Sequence, residues 1–370
     1  RYIEGKYADL IRWINQSRAS VAAVDIPSGV SPHTGKILGT AVRADLTVTF
    51  AYRKLGQILY PGAEYCGKVT RRDIGITADG LKNAMPCAFT YHPEDLSKIA
   101  GRRPYSNKGT YGKVLLIAGS HCMAGAAYLA ALSACCCGSG LVRIFTPECN
   151  RTILQTLIPE AVLTTYTSPE ECMEKLQSSL KWADAAGIGP GMGVSPQTEE
   201  ILNYVLHHFA KPLVIDADGL NVLAGKKQWL RETEAKIILT PHIGEMERFS
   251  GIPKAEILEN LMKAAGREAS RWGAVCVLKD ARTVVSDGER YYINTSGNSG
   301  MAAGGSGDVL TGILCSLLGQ RMTVFDAASL GVYLHGLAGD LAARKYGEYG
   351  MTAGQLAKAV GDVLKECSSH

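Results

Sequence analysis

The chain has 370 residues and is 46% apolar, enough for two domains with buried cores. Its 39 basic and 35 acidic side chains leave a formal charge of +4, spread along the sequence rather than gathered into blocks. No zinc finger, RNP-like aromatic string, bilayer-length apolar run or signal peptide is present, so neither nucleic acid nor membrane is expected as a partner. The eleven cysteines form no CxxC pair, and Cys135, Cys136 and Cys137 are adjacent. They read as small buried hydrophobes in a reducing cytoplasm. Because the first residue is Arg1, the start of the polypeptide is expected to lie further upstream.

In chain order, Tyr7 to Ser17 has helical spacing, and Val21-Ala-Ala-Val-Asp25 and Leu46-Thr-Val-Thr-Phe50 are short strand-like runs. Gly67-Lys-Val-Thr70 leads into Asp73-Ile-Gly-Ile76. This is the pattern of a parallel sheet with too few elements for a self-sufficient domain, as if cut on its N-terminal side. Periodicity fades between about Ala78 and Lys108, where Pro and Arg accumulate. We place the domain boundary near residue 84, giving domains 1–84 and 85–370.

From Lys113 strands and helices alternate. Val114–Ala118 is a strand, and a helix of small residues runs from Ala124 to Cys137. Further strands follow at Leu141–Phe145, Ala185–Gly189, Leu213–Asp216, Ile237–Thr240 and Val275–Leu278. Several of these runs end in Gly, Asp, Thr or Lys, where a strand meets its loop. The expected fold is α/β, a mostly parallel sheet sandwiched by helices, with chemistry at the carboxyl ends of the strands.

The densest signal is Asn294-Thr-Ser-Gly-Asn-Ser-Gly-Met-Ala-Ala-Gly-Gly-Ser-Gly-Asp308, followed by the apolar run Val309–Leu318. A glycine-rich loop entering a helix can turn its amides onto an anion, with the helix dipole favouring negative charge there. Gly304, Gly305 and Gly307 allow the backbone to approach a phosphate. Asp308 is otherwise an ordinary helix-opening acid. There is no Walker GxxxxGK[ST] and no complete GxGxxG.

This segment resembles the anion-hole signature of ribokinase-like enzymes. With Asn298, Gly300, Met301 and Gly304-Gly305 it is similar to the NAD(P)H-hydrate dehydratase branch. Lys108-Gly109, Gly125-Ala126-Ala127, Gly189-Pro-Gly-Met-Gly193, Asp216-Ala-Asp-Gly-Leu-Asn221, Thr240-Pro-His-Ile-Gly-Glu245 and His335-Gly-Leu-Ala-Gly-Asp340 extend the likeness in order across residues 100–365. It implies that the hydrated nicotinamide ring of NADH or NADPH is the substrate. It also implies ADP or ATP as phosphoryl donor with Mg2+, and a homo-oligomer. By the same likeness Asp308 would deprotonate the ring hydroxyl, and the backbone of Gly305, Ser306 and Gly307 would hold the migrating phosphoryl group. Loss of one such donor costs about 3–4 kcal/mol of barrier. Ala126, Gly191, Gly193 and His242 would hold the substrate. Lys279, Asp280, Ala281, Arg282 and Thr283, with Gly307, would line the nucleotide pocket. Asp280 stands where the family usually has glycine.

From the residues alone, His242 reads equally as a cap for a helix beginning near Gly244. Asp216 and Asp218 read either as a magnesium- or phosphate-facing pair or as polar turns before Leu220. A small-metabolite kinase of the same fold shares the GxGD logic, and a non-catalytic nucleotide-binding module is the second alternative. Val24-Asp25-Ile-Pro-Ser-Gly-Val30 with Thr34-Gly35 resembles the second half of an NAD(P)H-hydrate epimerase domain. By that likeness Asp25 would meet substrate and Ser28 would help bind K+. The family's asparagine- and glycine-rich phosphate loop is not in this sequence, so this chain is expected not to epimerise.

Overall fold

The computed structural model describes residues 2–77 and 86–368. The chain divides into two compact units, Arg1–Phe89 and Thr90–His370. The boundary expected near residue 84 lies outside the described residues.

The first unit contains helix α1 (Gly5–Gln16), strands β1 (Ala22–Val24) and β2 (Leu46–Phe50), a short helix α2 (Gly62–Tyr65) and strand β3 (Lys68–Arg72). The strands form a parallel sheet in the order β1-β2-β3. The apolar residues of β2 flagged it as a strand, yet the two side chains it fully buries are Thr47 and Thr49. Burial is tolerated because each hydroxyl has a partner; Thr47 Oγ1 donates to the Cys66 carbonyl at 2.7 Å.

The second unit opens with β4 (Lys113–Ile117), α3 (Ala124–Cys136), β5 (Leu141–Pro147), α4 (Arg151–Leu157) and β6 (Val162–Tyr166). Next come α5 (Pro169–Trp182), β7 (Ala185–Ile188), α6 (Pro196–His208), β8 (Leu213–Ile215), α7 (Asp218–Ala224) and β9 (Ile237–Leu239). Helices α8 (Ile243–Ser250), α9 (Lys254–Glu259) and α10 (Leu261–Trp272) lead to β10 (Val275–Leu278). The hairpin β11 (Val284–Ser286) and β12 (Tyr291–Ile293) precedes three closing helices, α11 (Ser306–Gly319), α12 (Val324–Tyr346) and α13 (Ala353–Ser368). The nine-stranded sheet has the order β12-β11-β10-β9-β8-β7-β4-β5-β6, parallel except at the β10-β11-β12 edge. All six strands expected in this unit are present. β6, β11 and β12 were not anticipated, since β6 reads Val-Leu-Thr-Thr-Tyr and the hairpin strands are three residues each.

Strand periodicity divides the core into two layers. Val114 and Leu116 face the helices α3, α11, α12 and α13, whereas Leu115 and Ile117 face α5, α6 and α7. The small residues of α3 have a packing reason. A Cβ added to Gly312 of α11 would lie 2.0 Å from the Ala130 carbonyl, so the two helices run in close contact only because glycine faces alanine. Chain order reverses between β4 and β7. β5 and β6 extend the sheet to one side of β4, and β7 returns to the other. That switch point is where an open α/β sheet forms a crevice. The two loops leaving it are joined by Gly119 N donating to Pro190 O at 2.8 Å. Among the described residues no helix is long and apolar enough to cross a membrane.

Candidate functional site

Three strands of the parallel sheet end in a polar residue that faces one point. Asp216 follows β8, Thr240 follows β9 and Lys279 follows β10. The Asp216 carboxylate is buried. Oδ1 accepts from Thr240 Oγ1 at 2.7 Å and Lys279 Nζ at 2.8 Å, and Oδ2 accepts from Thr311 Oγ1 of α11 at 2.8 Å. Glu245 Oε2 lies 4.0 Å from the same ammonium. Burial opposes the charge on Asp216, yet Lys279 and the three hydrogen bonds outweigh it and hold the acid below its ordinary value. Burial likewise opposes the Lys279 charge; the Asp216 and Glu245 carboxylates overcome it and raise that pKa. Asp216 is therefore neither a free turn residue nor an open metal ligand but the anchor of a buried ion pair.

One turn before Thr311 on the same helix stands Asp308. Helix α11 begins with Gly305 as its cap at φ 91°, a left-handed conformation open to glycine, and a Cβ there would lie 2.4 Å from Leu129 Cδ1. The first i to i−4 bond runs from Val309 N to Gly305 O at 3.1 Å, so the Gly307 and Asp308 amides precede it as the orphan donors of a helix start. A Cβ on Gly307 would lie 3.4 Å from Lys279 Nζ, which places the ammonium beside the first turn of α11. The sequence-predicted residues Gly305, Ser306, Gly307, Asp308 and Lys279 thus converge. Burial, then the charge of Asp216, push the Asp308 carboxyl up to about 7, against a partial lowering by Lys279. A carboxyl poised there can take a proton near neutrality.

Ala126 and Gly191 are also brought together. Ala126 is in the first turn of α3, and a Cβ on Gly191 (φ 62°) would meet Ala126 Cβ at 2.8 Å. Gly193 N donates to Asp218 Oδ2 at 2.8 Å; Asn221 Nδ2 donates to Asp218 Oδ1 at 3.3 Å and Arg248 Nε to Asn221 Oδ1 at 3.0 Å. His242 is the N-cap of α8. Its Nδ1 accepts from Gly244 N at 3.0 Å and Glu245 N at 3.3 Å, so the capping alternative holds, with the imidazole still half exposed. A parallel bridge pairs His242 with Lys279, placing the cap beside the ion pair. Asp280, Ala281, Arg282 and Thr283 form the β10–β11 turn. Asp280 and Ala281 are exposed, and Arg282 Nη1 donates to Thr295 O at 3.3 Å at the start of the glycine-rich loop.

In the first unit Asp25 has φ 66° and its carboxylate pairs with Lys54, accepting also from Thr49 Oγ1 at 3.1 Å and Phe50 N at 3.3 Å. Burial works against that charge, but Lys54 prevails and lowers the pKa. Ser28 is exposed, and its carbonyl accepts from Val42 N at 2.9 Å.

Sequence reasoning missed Thr240, Thr311 and Lys54. The signal for Thr240 was present, a polar residue closing an apolar strand. Thr311 sits inside an apolar helix, where its i+3 spacing from Asp308 was the available hint.

The family described as NAD(P)H-hydrate dehydratase matches residues 114–361, and that of the YjeF-related protein N-terminus matches residues 1–56. A bifunctional NAD(P)H-hydrate repair enzyme of Thermofilum pendens is 39% identical over 364 residues, 95% of this chain and 68% of the relative. The protein of the same description from Escherichia coli is 37% identical over 351 residues, 94% and 66%. Among solved structures, the ADP/ATP-dependent NAD(P)H-hydrate dehydratase of Bacillus subtilis, co-crystallized with ATP and Mg2+, is 29% identical with a TM-score of 0.67. That match covers 77% of this chain and 100% of the other. A ribokinase-like superfamily protein of Enterococcus faecalis is 27% identical with the same TM-score, over 76% and 97%.

Proposed function

The chain belongs to the NAD(P)H-hydrate dehydratase family, and from that premise we propose how its residues return hydrated NADH or NADPH to the reduced cofactor at the expense of ADP or ATP. The observation that carries the site assignment is the convergence of orphan amides and a buried lysine–aspartate pair on the Asp308 carboxyl, which burial and Asp216 push up to about 7. Hydroxide is a poor leaving group. Asp308 takes the proton of the C6 hydroxyl as its oxygen attacks the terminal phosphorus, and the P–O bond to the nucleotide breaks. The Gly305 and Gly307 amides and Lys279 meet the charge on the transferring group, while the Ser306 amide expected beside them is turned to the Ala303 carbonyl at 3.4 Å. The ring nitrogen lone pair then expels phosphate with cleavage of the C6–O bond, and loss of a C5 proton restores the dihydropyridine. Ala126, Gly191, Gly193 and His242 would hold the dinucleotide, and the 279–283 turn the donor nucleotide.

Among the described residues no group of three or more His, Cys, Asp or Glu is placed to hold a metal. Asp216 is moreover committed to Lys279, Thr240 and Thr311. These residues suit a Mg2+ that arrives on the nucleotide phosphates and keeps most of its waters. We assign K+ to Ser28 on resemblance alone, tested by the cation dependence of epimerisation in a chain that carries it. A homo-oligomer, read by light scattering, and a cytoplasmic setting, in keeping with cysteines that are free among the described residues, complete the reading.

The test is incubation with hydrated NADH and either ADP or ATP. Regrowth of dihydronicotinamide absorbance with release of phosphate is expected. Accumulation of a stable phosphorylated product would replace this reading by that of a metabolite kinase.

A further inference from the structure

His335-Gly-Leu-Ala-Gly-Asp340 lies on α12, contributes nothing to the proton or phosphoryl steps above, and yet meets the glycine-rich loop at Ser296, Gly297, Asn298, Met301 and Ser306. His335 Nε2 is 3.0 Å from the Ser306 carbonyl in the first turn of α11. Because that partner is an acceptor, Nε2 carries the hydrogen. At the other end of the loop, Asp340 Oδ2 accepts from Gly297 N at 2.9 Å and Oδ1 from Asn298 Nδ2 at 3.0 Å. Ser296 Oγ donates to the Tyr333 carbonyl at 3.1 Å. Between these ties the helix comes into direct contact with the loop. A Cβ on Gly336 would lie 2.1 Å from Ser296 Oγ, and one on Gly339 would lie 2.2 Å from Met301 Sδ. Positions 335, 336, 339 and 340 follow the i, i+1, i+4, i+5 spacing of one helix face. Two polar side chains hold the loop near its two ends, while Gly336 and Gly339 admit Ser296 and Met301.

A loop of this glycine content loses much conformational entropy on ordering and has little side-chain packing of its own to offset it. We propose that the α12 face bearing His335 and Asp340 is the template that holds the loop in its phosphate-cupping shape, making these two positioning residues of the dehydration. The inference rests on the reading of that loop as the phosphoryl site. Neither side chain need touch substrate; each acts through the backbone it holds. Misplacement of such donors by about 1 Å costs about 100-fold in rate.

The test uses the full chain with His335→Ala, His335→Gln, Asp340→Ala and Asp340→Asn, followed by steady-state kinetics and hydrogen exchange of the 297–307 amides. The alanine variants are expected to melt within a few degrees of the parent. Their kcat should fall about 10- to 100-fold, with less than a threefold change in the hydrate KM, and their loop amides should exchange faster. Gln, which can still donate, should recover most of the His335 loss. Asn at 340 keeps one acceptor but turns an amino group toward a donor, so it should recover only part. Parent-like kcat and loop exchange in the alanine variants overturn the proposal, as does a kcat loss that merely tracks melting temperature and is not recovered by Gln. If the alanine variants do not fold, Asp340→Asn decides in the same way. Absence of turnover in the parent with either donor would instead sink the dehydratase reading, and loop exchange would still decide the template.

Discussion

Asp25 and Asp308 are both family-implied substrate contacts, one in each unit, and their environments set them to opposite tasks. Asp25 has a lysine to itself; Lys54 holds it ionised. Asp308 also has a lysine nearby, but the stronger claim on Lys279 belongs to Asp216, and what reaches Asp308 is mainly burial and the charge of that second carboxylate. Whether an aspartate is a fixed anion or a proton acceptor near pH 7 is decided by its burial and by whether the nearby cation is already paired with another carboxylate.

The sharpest way to break this comparison is Asp308→Asn. Turnover should fall by about 1,000-fold or more, as for loss of a general base. The folded pKa of Asp308 lies above its unfolded value near 3.8, so its contribution to stability is full below that value and is lost as pH rises through about 7. At pH 8 the amide variant should therefore be more stable than the parent by about 4 kcal/mol, seen in denaturant melts. A variant that is inactive and also less stable at pH 8 would mean that Asp308 serves the fold.

Asp216→Asn sharpens the same point. It leaves Lys279 with only the more distant Glu245 carboxylate, 4.0 Å away, and should cost about 3 kcal/mol of stability. It also removes a charge that raises Asp308, so the acid limb of the kcat profile should move below pH 7 in whatever activity remains. An unmoved limb would show that Asp216 does not tune the base.

His335 gives a third, smaller effect. Burial lowers it to about 4, so its favourable contribution exists above pH 6.5 and is lost as pH falls through 4. His335→Gln should flatten the stability curve across that window by about 3 kcal/mol. The smallest effect is expected at Lys54→Met. The pair is partly exposed, so its loss should cost less than about 1 kcal/mol while the Asp25 titration moves upward.

Much of the site was legible in order along the chain. The glycine density before Asp308 marked the helix start, and apolar runs ending in Asp, Thr or Lys marked the sheet edge. The alternatives left open at His242 and Asp216 were settled differently. His242 does cap its helix, a local event within three residues. Asp216 proved to be a buried anchor because its donors come from 24, 63 and 95 residues away, beyond any local pattern.

The sequence by itself determined the six central parallel strands of the second unit, where the glycine loop meets its helix and which family motifs are present, because periodicity, turn chemistry and helix capping act over a few residues. Only the tertiary structure decided which aspartate keeps its charge, which lysine neutralises it and which helix face cradles the loop. Those outcomes depend on burial and on hydrogen bonds between strand ends and helices far apart in the chain, and in a low-dielectric interior such contacts govern ionisation more strongly than the identity of the residue.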